Sequence, residues 1–122
     1  MISIQAPLHV ALNVSNLALA EAFYGGILGL TPVERPLSFP GLWYQVGEFQ
    51  IHLIVAEGYQ IQPRNLEKWG RNAHLALAVE NLAAAKAALV EAGYPMQTSA
   101  SGRAALFTQD TDGNILELSQ AI

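Results

Sequence analysis

Three histidines and one glutamate hold positions from which they could share a metal ion. His9 and His74 each open an alternating apolar–polar run, His52 lies within Ile51-His52-Leu53, and Glu117 within Leu116-Glu117-Leu118. Sliding the sequence against itself by 65 positions lays His9 on His74 and His52 on Glu117. Nine of the sixteen pairs from His9/His74 to Tyr24/Leu89 are then identical. Four of the nine are alanines in an alanine-rich chain, but His, Leu, Val, Asn and Leu also recur in order without a gap. Such a repeat marks two copies of one structural module. Neutral imidazoles and a carboxylate suit a divalent first-row ion such as Zn, Ni, Mn or Fe. Four such ligands on a six-coordinate ion leave two positions for water or a chelating substrate. Three leave more, as in the two-His-one-carboxylate arrangement of Fe(II) oxygen chemistry. A lone His or Glu in a strand is more often a satisfied or surface polar residue, so a metal site requires all four to share a face.

Period-two alternation supplies that face. Residues 8–14 read as a strand with Leu8, Val10, Leu12 and Val14 on one side and His9, Ala11 and Asn13 on the other. Ser15 or Asn16 caps a helix running to about Gly25, ended by Gly25-Gly26 and Gly29. A short strand over 30–34 carries Pro32, which suggests an edge. Residues 42–46 and 49–55 form a hairpin across Gly47-Glu48. The second module repeats the pattern, with a strand from His74 to Val79 and a helix over 82–92 that stops at Gly93. Strands over 94–98, 103–109 and 115–119 follow, the last two joined by the turn Asp110-Thr111-Asp112-Gly113-Asn114. His9, His52, His74 and Glu117 then project from the face that the helices do not cover. Two such faces brought together by an approximate twofold would enclose a cavity.

The bulk numbers narrow the classes. At 122 residues the chain is one domain by size. Module one covers about 6–57, a linker about 58–72, and module two about 73–120. Charged residues make up 13% and hydrophobic residues 52%, which excludes a disordered chain. A net charge of −4 argues against a nucleic-acid surface. There is no cysteine, so thiolate sites and disulfides are excluded, in keeping with a cytoplasmic protein. No stretch is long and apolar enough for a membrane span, and residues 1–7 lack the pattern of a signal peptide. The linker is the only notably basic segment, with Arg64, Lys68, Trp69 and Arg71. It reads either as a solvated connector or as a lid that meets an anionic substrate. No Gly-rich phosphate loop, G-x-S-x-G elbow or Ser-His-Asp set stands out.

These residues resemble the vicinal-oxygen-chelate superfamily, also called the glyoxalase/bleomycin resistance protein/dioxygenase family. The resemblance covers essentially the whole chain. Its markers are His9 in the first strand, Phe23-Tyr24 followed by Leu28-Gly29-Leu30, and Gly70-Arg71-Asn72 running into His74. The most specific is Asp110-Thr111-Asp112-Gly113-Asn114-Ile115-Leu116-Glu117-Leu118, close to the family ending D-P-D-G-N-x-x-E-L with Thr111 in place of Pro. The resemblance implies an α+β fold of two tandem βαβββ modules, forming a cupped mixed sheet with helices on its outer face. It also implies one divalent ion held by His9, His74 and Glu117, with His52 at the fourth position, and a homodimer. His52 stands where glyoxalase I enzymes usually carry Glu or Gln, which weakens a claim to that particular activity.

The expected function is therefore a metal-dependent lyase or isomerase of the glyoxalase type. A small substrate chelates the ion through adjacent oxygens, and an enediolate or similar oxyanion is stabilised. His52, or the Glu117 carboxylate freed from the ion, serves as base. Trp43, Tyr44, Arg71 and Arg103 are weaker candidates for substrate contact. The rival readings are an Fe(II)-dependent dioxygenase and a non-catalytic small-molecule-binding or resistance protein of the same fold.

Overall fold

Each half of the repeat folds into its own four-stranded mixed sheet in a computed structural model of the chain, which describes residues 1–121. The contacts divide the chain into two compact units, the first spanning Met1–Tyr59 and the second beginning at Gln60.

In the first unit β1 (His9–Val14) leads into α1 (Leu17–Glu21), followed by β2 (Thr31–Val33), β3 (Gly41–Val46) and β4 (Phe49–Val55). The sheet order is β1-β4-β3-β2, with β1 parallel to β4 and the other pairs antiparallel. Alternation is as expected: Val14, Ile51 and Leu53 are fully buried, while His9, Ala11 and Asn13 are exposed. The helix differs from the sequence expectation. It does not stop at Gly25 but widens into a π-helical stretch over Ala22–Ile27, closed by the Leu28 N–H donating to the Phe23 carbonyl. The wider turn lets consecutive Phe23 and Tyr24 both be buried, in an edge-to-face pair at 4.9 Å.

The second unit repeats the order with β5 (Leu75–Val79), α2 (Leu82–Ala92), β6 (Met96–Thr98), β7 (Ala105–Gln109) and β8 (Ile115–Gln120). Its sheet runs β5-β8-β7-β6, again with the first pair parallel. The repeated asparagine has the same task in both copies. Asn16 Oδ1 accepts from the Leu19 N–H and Asn81 Oδ1 from the Ala84 N–H, each at 3.0 Å. β6 and β7 begin two residues later than the alternation suggests, at Met96 and Ala105. The basic stretch over 60–72 is tied to this sheet. The Trp69 N–H donates to Gln97 Oε1 at 2.8 Å, and Gln97 Nε2 donates to the Glu67 carbonyl at 2.7 Å. Among the described residues no helix is long and apolar enough to cross a membrane.

The turn before β8 sets the position of Glu117. Asp110 Oδ1 accepts the Asp112 and Asn114 N–H groups, both at 2.9 Å, and Oδ2 accepts from Asn114 Nδ2 at 2.8 Å. Gly113, at φ 89°, has the Ile61 carbonyl oxygen 2.6 Å from where a Cβ would stand, so no larger residue fits. Asp110→Ala would leave three donors unsatisfied around a carboxylate that is only 5% exposed. It is expected to destabilise the protein by about 3 kcal/mol in urea unfolding, with Asp110→Asn milder.

Candidate functional site

In the first unit the open face is built around His52. Its neighbours across the sheet are Ala11 on β1 and Trp43 on β3. The imidazole is stacked between two rings, His9 at 4.0 Å and Trp43 at 4.0 Å, tilted by 12° and 7°. A chain of amides fixes its proton. Gln45 Nε2 donates to the carbonyls of Gly47 (2.7 Å) and Phe49 (3.3 Å), which only accept. Gln45 Oε1 therefore accepts from Gln50 Nε2 at 2.8 Å, leaving Gln50 Oε1 to accept from His52 Nε2 at 2.8 Å. The proton sits on Nε2, and Nδ1 carries the lone pair. Burial lowers the pKa of His52, and the charges of His9 and Arg35 lower it further, so the ring stays neutral.

In the second unit the pair is His74 and Glu117. His74 Nδ1 donates to the Asn72 carbonyl at 2.7 Å, which leaves the lone pair of the neutral ring on Nε2. That nitrogen lies 3.2 Å from Glu117 Oε1. Two electron-rich atoms face each other there, an arrangement that requires either a proton on Nε2 or a cation bound by both. Ligands about 2.1 Å from one ion and at right angles are roughly 3 Å apart, so the pair fits one edge of a metal's coordination shell. Phe107 meets the His74 ring edge-on at 5.3 Å.

Glu117 is 6% exposed. Burial alone would raise its pKa. The Ser119 hydroxyl donating to Oε2 at 2.7 Å, the Arg103 guanidinium at 3.4 and 3.5 Å, and the charge of His74 outweigh burial and hold it below the ordinary carboxylate value. The carboxylate is therefore ionised.

The four sequence-predicted ligands thus stand as two pairs, His9 with His52 and His74 with Glu117. Among the described residues no group of three or more His, Asp or Glu side chains that could hold a metal comes together. Of the weaker candidates, Trp43 lies on the open face and Arg103 on Glu117, while Arg71 lines a cleft of the second unit. Tyr44 is a correction. Alternation turns it to the helix side, where it is 1% exposed and stacks on Tyr24 at 6.3 Å, so it belongs to the core.

Sequence reasoning passed over Arg35, Gln45, Gln50 and Ser119. Arg35 had a signal, since it is the only Lys or Arg in the first 60 residues. Its guanidinium lies 4.4 Å over the Phe39 ring and donates to the Phe39 carbonyl. Ser119 had one too, two residues beyond Glu117 and so on the same strand face. The glutamines had none, because their role depends on cross-strand register.

Comparison with known proteins identifies the family. A model of the Glyoxalase/Bleomycin resistance protein/Dioxygenase superfamily matches residues 6–118. No curated protein sequence gives a significant match. Among solved structures, a Bacillus anthracis protein assigned to the glyoxalase family superposes with a TM-score of 0.80 at 22% identity, covering 100% of this chain and 99% of that one. A lactoylglutathione lyase from Agrobacterium tumefaciens gives 0.69 at 20% identity, over 97% of this chain and 95% of its own. The fosfomycin resistance protein FosX from Listeria monocytogenes gives 0.70 at 16%, over 100% and 96%. At such identities these structures show a shared fold, and the family match adds the lineage. With its duplicated β1–α1–β2–β3–β4 module and a match over nearly its whole length, the chain belongs to the glyoxalase/bleomycin resistance protein/dioxygenase superfamily.

Proposed function

We propose that the protein is a divalent-metal-dependent enzyme of glyoxalase type, a lyase or isomerase acting on a small substrate with adjacent oxygens. The observation that carries this reading is the His74 Nε2–Glu117 Oε1 contact at 3.2 Å, with Nδ1 already committed to the Asn72 carbonyl. His74 and Glu117 would hold the ion. A bound divalent ion supplies Lewis acidity towards the substrate's adjacent oxygens.

The remaining work falls to the chain. His52 presents Nδ1 as its only basic atom, as a fourth ligand or as the acceptor of a proton from carbon beside a carbonyl. Its neutral state at ordinary pH suits either task. Trp43 covers one face of that imidazole and restricts how it can turn. Arg103 and Ser119 keep the Glu117 carboxylate charged and oriented. A lactoylglutathione lyase and a fosfomycin resistance protein on the same fold support small-molecule chemistry here without selecting the substrate.

We also propose a homodimer. The large apolar side chains of Met1, Ile2, Ile4 and Leu8 are at least 73% exposed, a run that a second copy would cover.

Three measurements test these readings. Protein grown with Zn, Ni, Mn and Fe should hold about one ion per chain by elemental analysis, and Glu117→Ala should lose it. Full loading of that variant would end the assignment. Long-range ¹H–¹⁵N spectra should show His52 protonated on Nε2, with Gln50→Leu mixing the two tautomers. An Nδ1-protonated ring in the wild type would remove the amide relay. Sedimentation should show a dimer that Leu8→Glu weakens by tenfold or more, whereas a monomer at all concentrations would refute the assembly.

A further inference from the structure

We propose that a cleft in the second unit, lined by Lys68, Arg71 and Arg103, binds an oxyanion: a carboxylate or phosphate carried by the substrate besides its adjacent oxygens. The substrate part of this rests on the function proposed above, but the anion site is carried by the cleft alone.

The chain has six Lys and Arg residues and a net charge of −4, yet three of the six line this one cavity of about 320 Å³. No carboxylate is among the lining residues, whose other polar members include Ser99, Ser101 and Gln97. Among the described residues neither Lys68 nor Arg71 forms an ion pair. Arg103 is paired to Glu117 only at 3.4 Å, and it is oriented by its Nε donating to Ser101 Oγ at 3.0 Å. One edge of its guanidinium therefore serves Glu117 while the group as a whole lines the cleft.

The walls are constructed rather than loose. Both ends of the Gln97 amide are bonded to backbone on the Lys68 side, at Trp69 and Glu67. Asn72 Nδ2 donates to the Asn65 and Trp69 carbonyls at 2.9 and 3.1 Å, closing the turn that displays Lys68 and Arg71. Gly70 lies so close to Phe107 that a Cβ would stand 2.5 Å from the ring, which pins that turn to the sheet. The same Phe107 touches His74, and Arg103 touches Glu117. The cleft thus opens beside the proposed metal-binding pair, where a bound anion gains charge-assisted hydrogen bonds from a planar guanidinium and an ammonium. Its volume leaves room for an organic body attached to the anion.

The test is a ¹⁵N amide titration of the full chain with inorganic phosphate and, separately, acetate. Saturable shifts are expected at residues 68–71 and 99–103, weakened by salt. In Lys68→Ala/Arg71→Ala the affinity should fall at least tenfold, and Arg71→Lys should retain part of it. Chelator-treated, metal-free protein should still bind phosphate, with the same saturable shifts at residues 68–71 and 99–103. Failure of the metal assignment is thereby separated from failure of this one. A response by phosphate alone or by acetate alone would assign the site to that class of anion. Shifts that never saturate, affinity unchanged in the double variant, or shifts confined to His74 and Glu117 would overturn the proposal.

Discussion

A buried, ionised carboxylate is the constraint around which the second unit is arranged. Glu117 sits in β8 between Leu116 and Leu118, both core residues, and water cannot stabilise its charge. Each neighbour answers that need. Ser119 donates a hydroxyl, Arg103 contributes positive charge, and His74 brings an imidazole to 3.2 Å. The Asp110 turn determines where β8 begins and so which residue points at those donors. An apolar residue at 117 would pack with less difficulty, and a charge retained in such a place is a reasonable mark of function.

The two halves of the repeat have kept a scaffold and diverged in electronics. Strand order, parallel first pair and asparagine cap are common to both. The hydrogen bonds on the imidazoles are not. A backbone carbonyl takes the Nδ1 proton of His74, whereas the Gln45–Gln50 chain takes the Nε2 proton of His52. His52 and His74 therefore expose opposite nitrogens, and they are not equivalents in the repeat: His52 corresponds to Glu117, and His74 to His9.

The sequence made the architecture legible because its signals are local. Alternation located the faces, Asn16 and Gly93 marked a helix start and a helix end, and the 65-residue repeat gave the module. The misplaced helix end shows the limit. Gly25-Gly26 is a breaker in an α-helix, yet a π turn accommodates both and buries the consecutive Phe23 and Tyr24. Trp43 and Tyr44 were both candidates for substrate contact, but adjacent strand residues must face opposite ways, and only one of the two can lie on the open face. The glutamine relay was beyond reach, since it depends on Gln45 and Gln50 being paired across β3 and β4.

The stack of His9, His52 and Trp43 has a spectroscopic consequence. The chain has two tryptophans, one in each unit: Trp43 in ring contact with His52, and Trp69 on the turn between Lys68 and Gly70. A protonated imidazole lying against an indole withdraws its excited-state charge and quenches emission, and a neutral one does so far less. With Trp69→Phe as background, the fluorescence of Trp43 becomes an intrinsic optical readout of the ionisation state of one imidazole. The protein carries its own dye, placed against the histidine whose chemistry is in question.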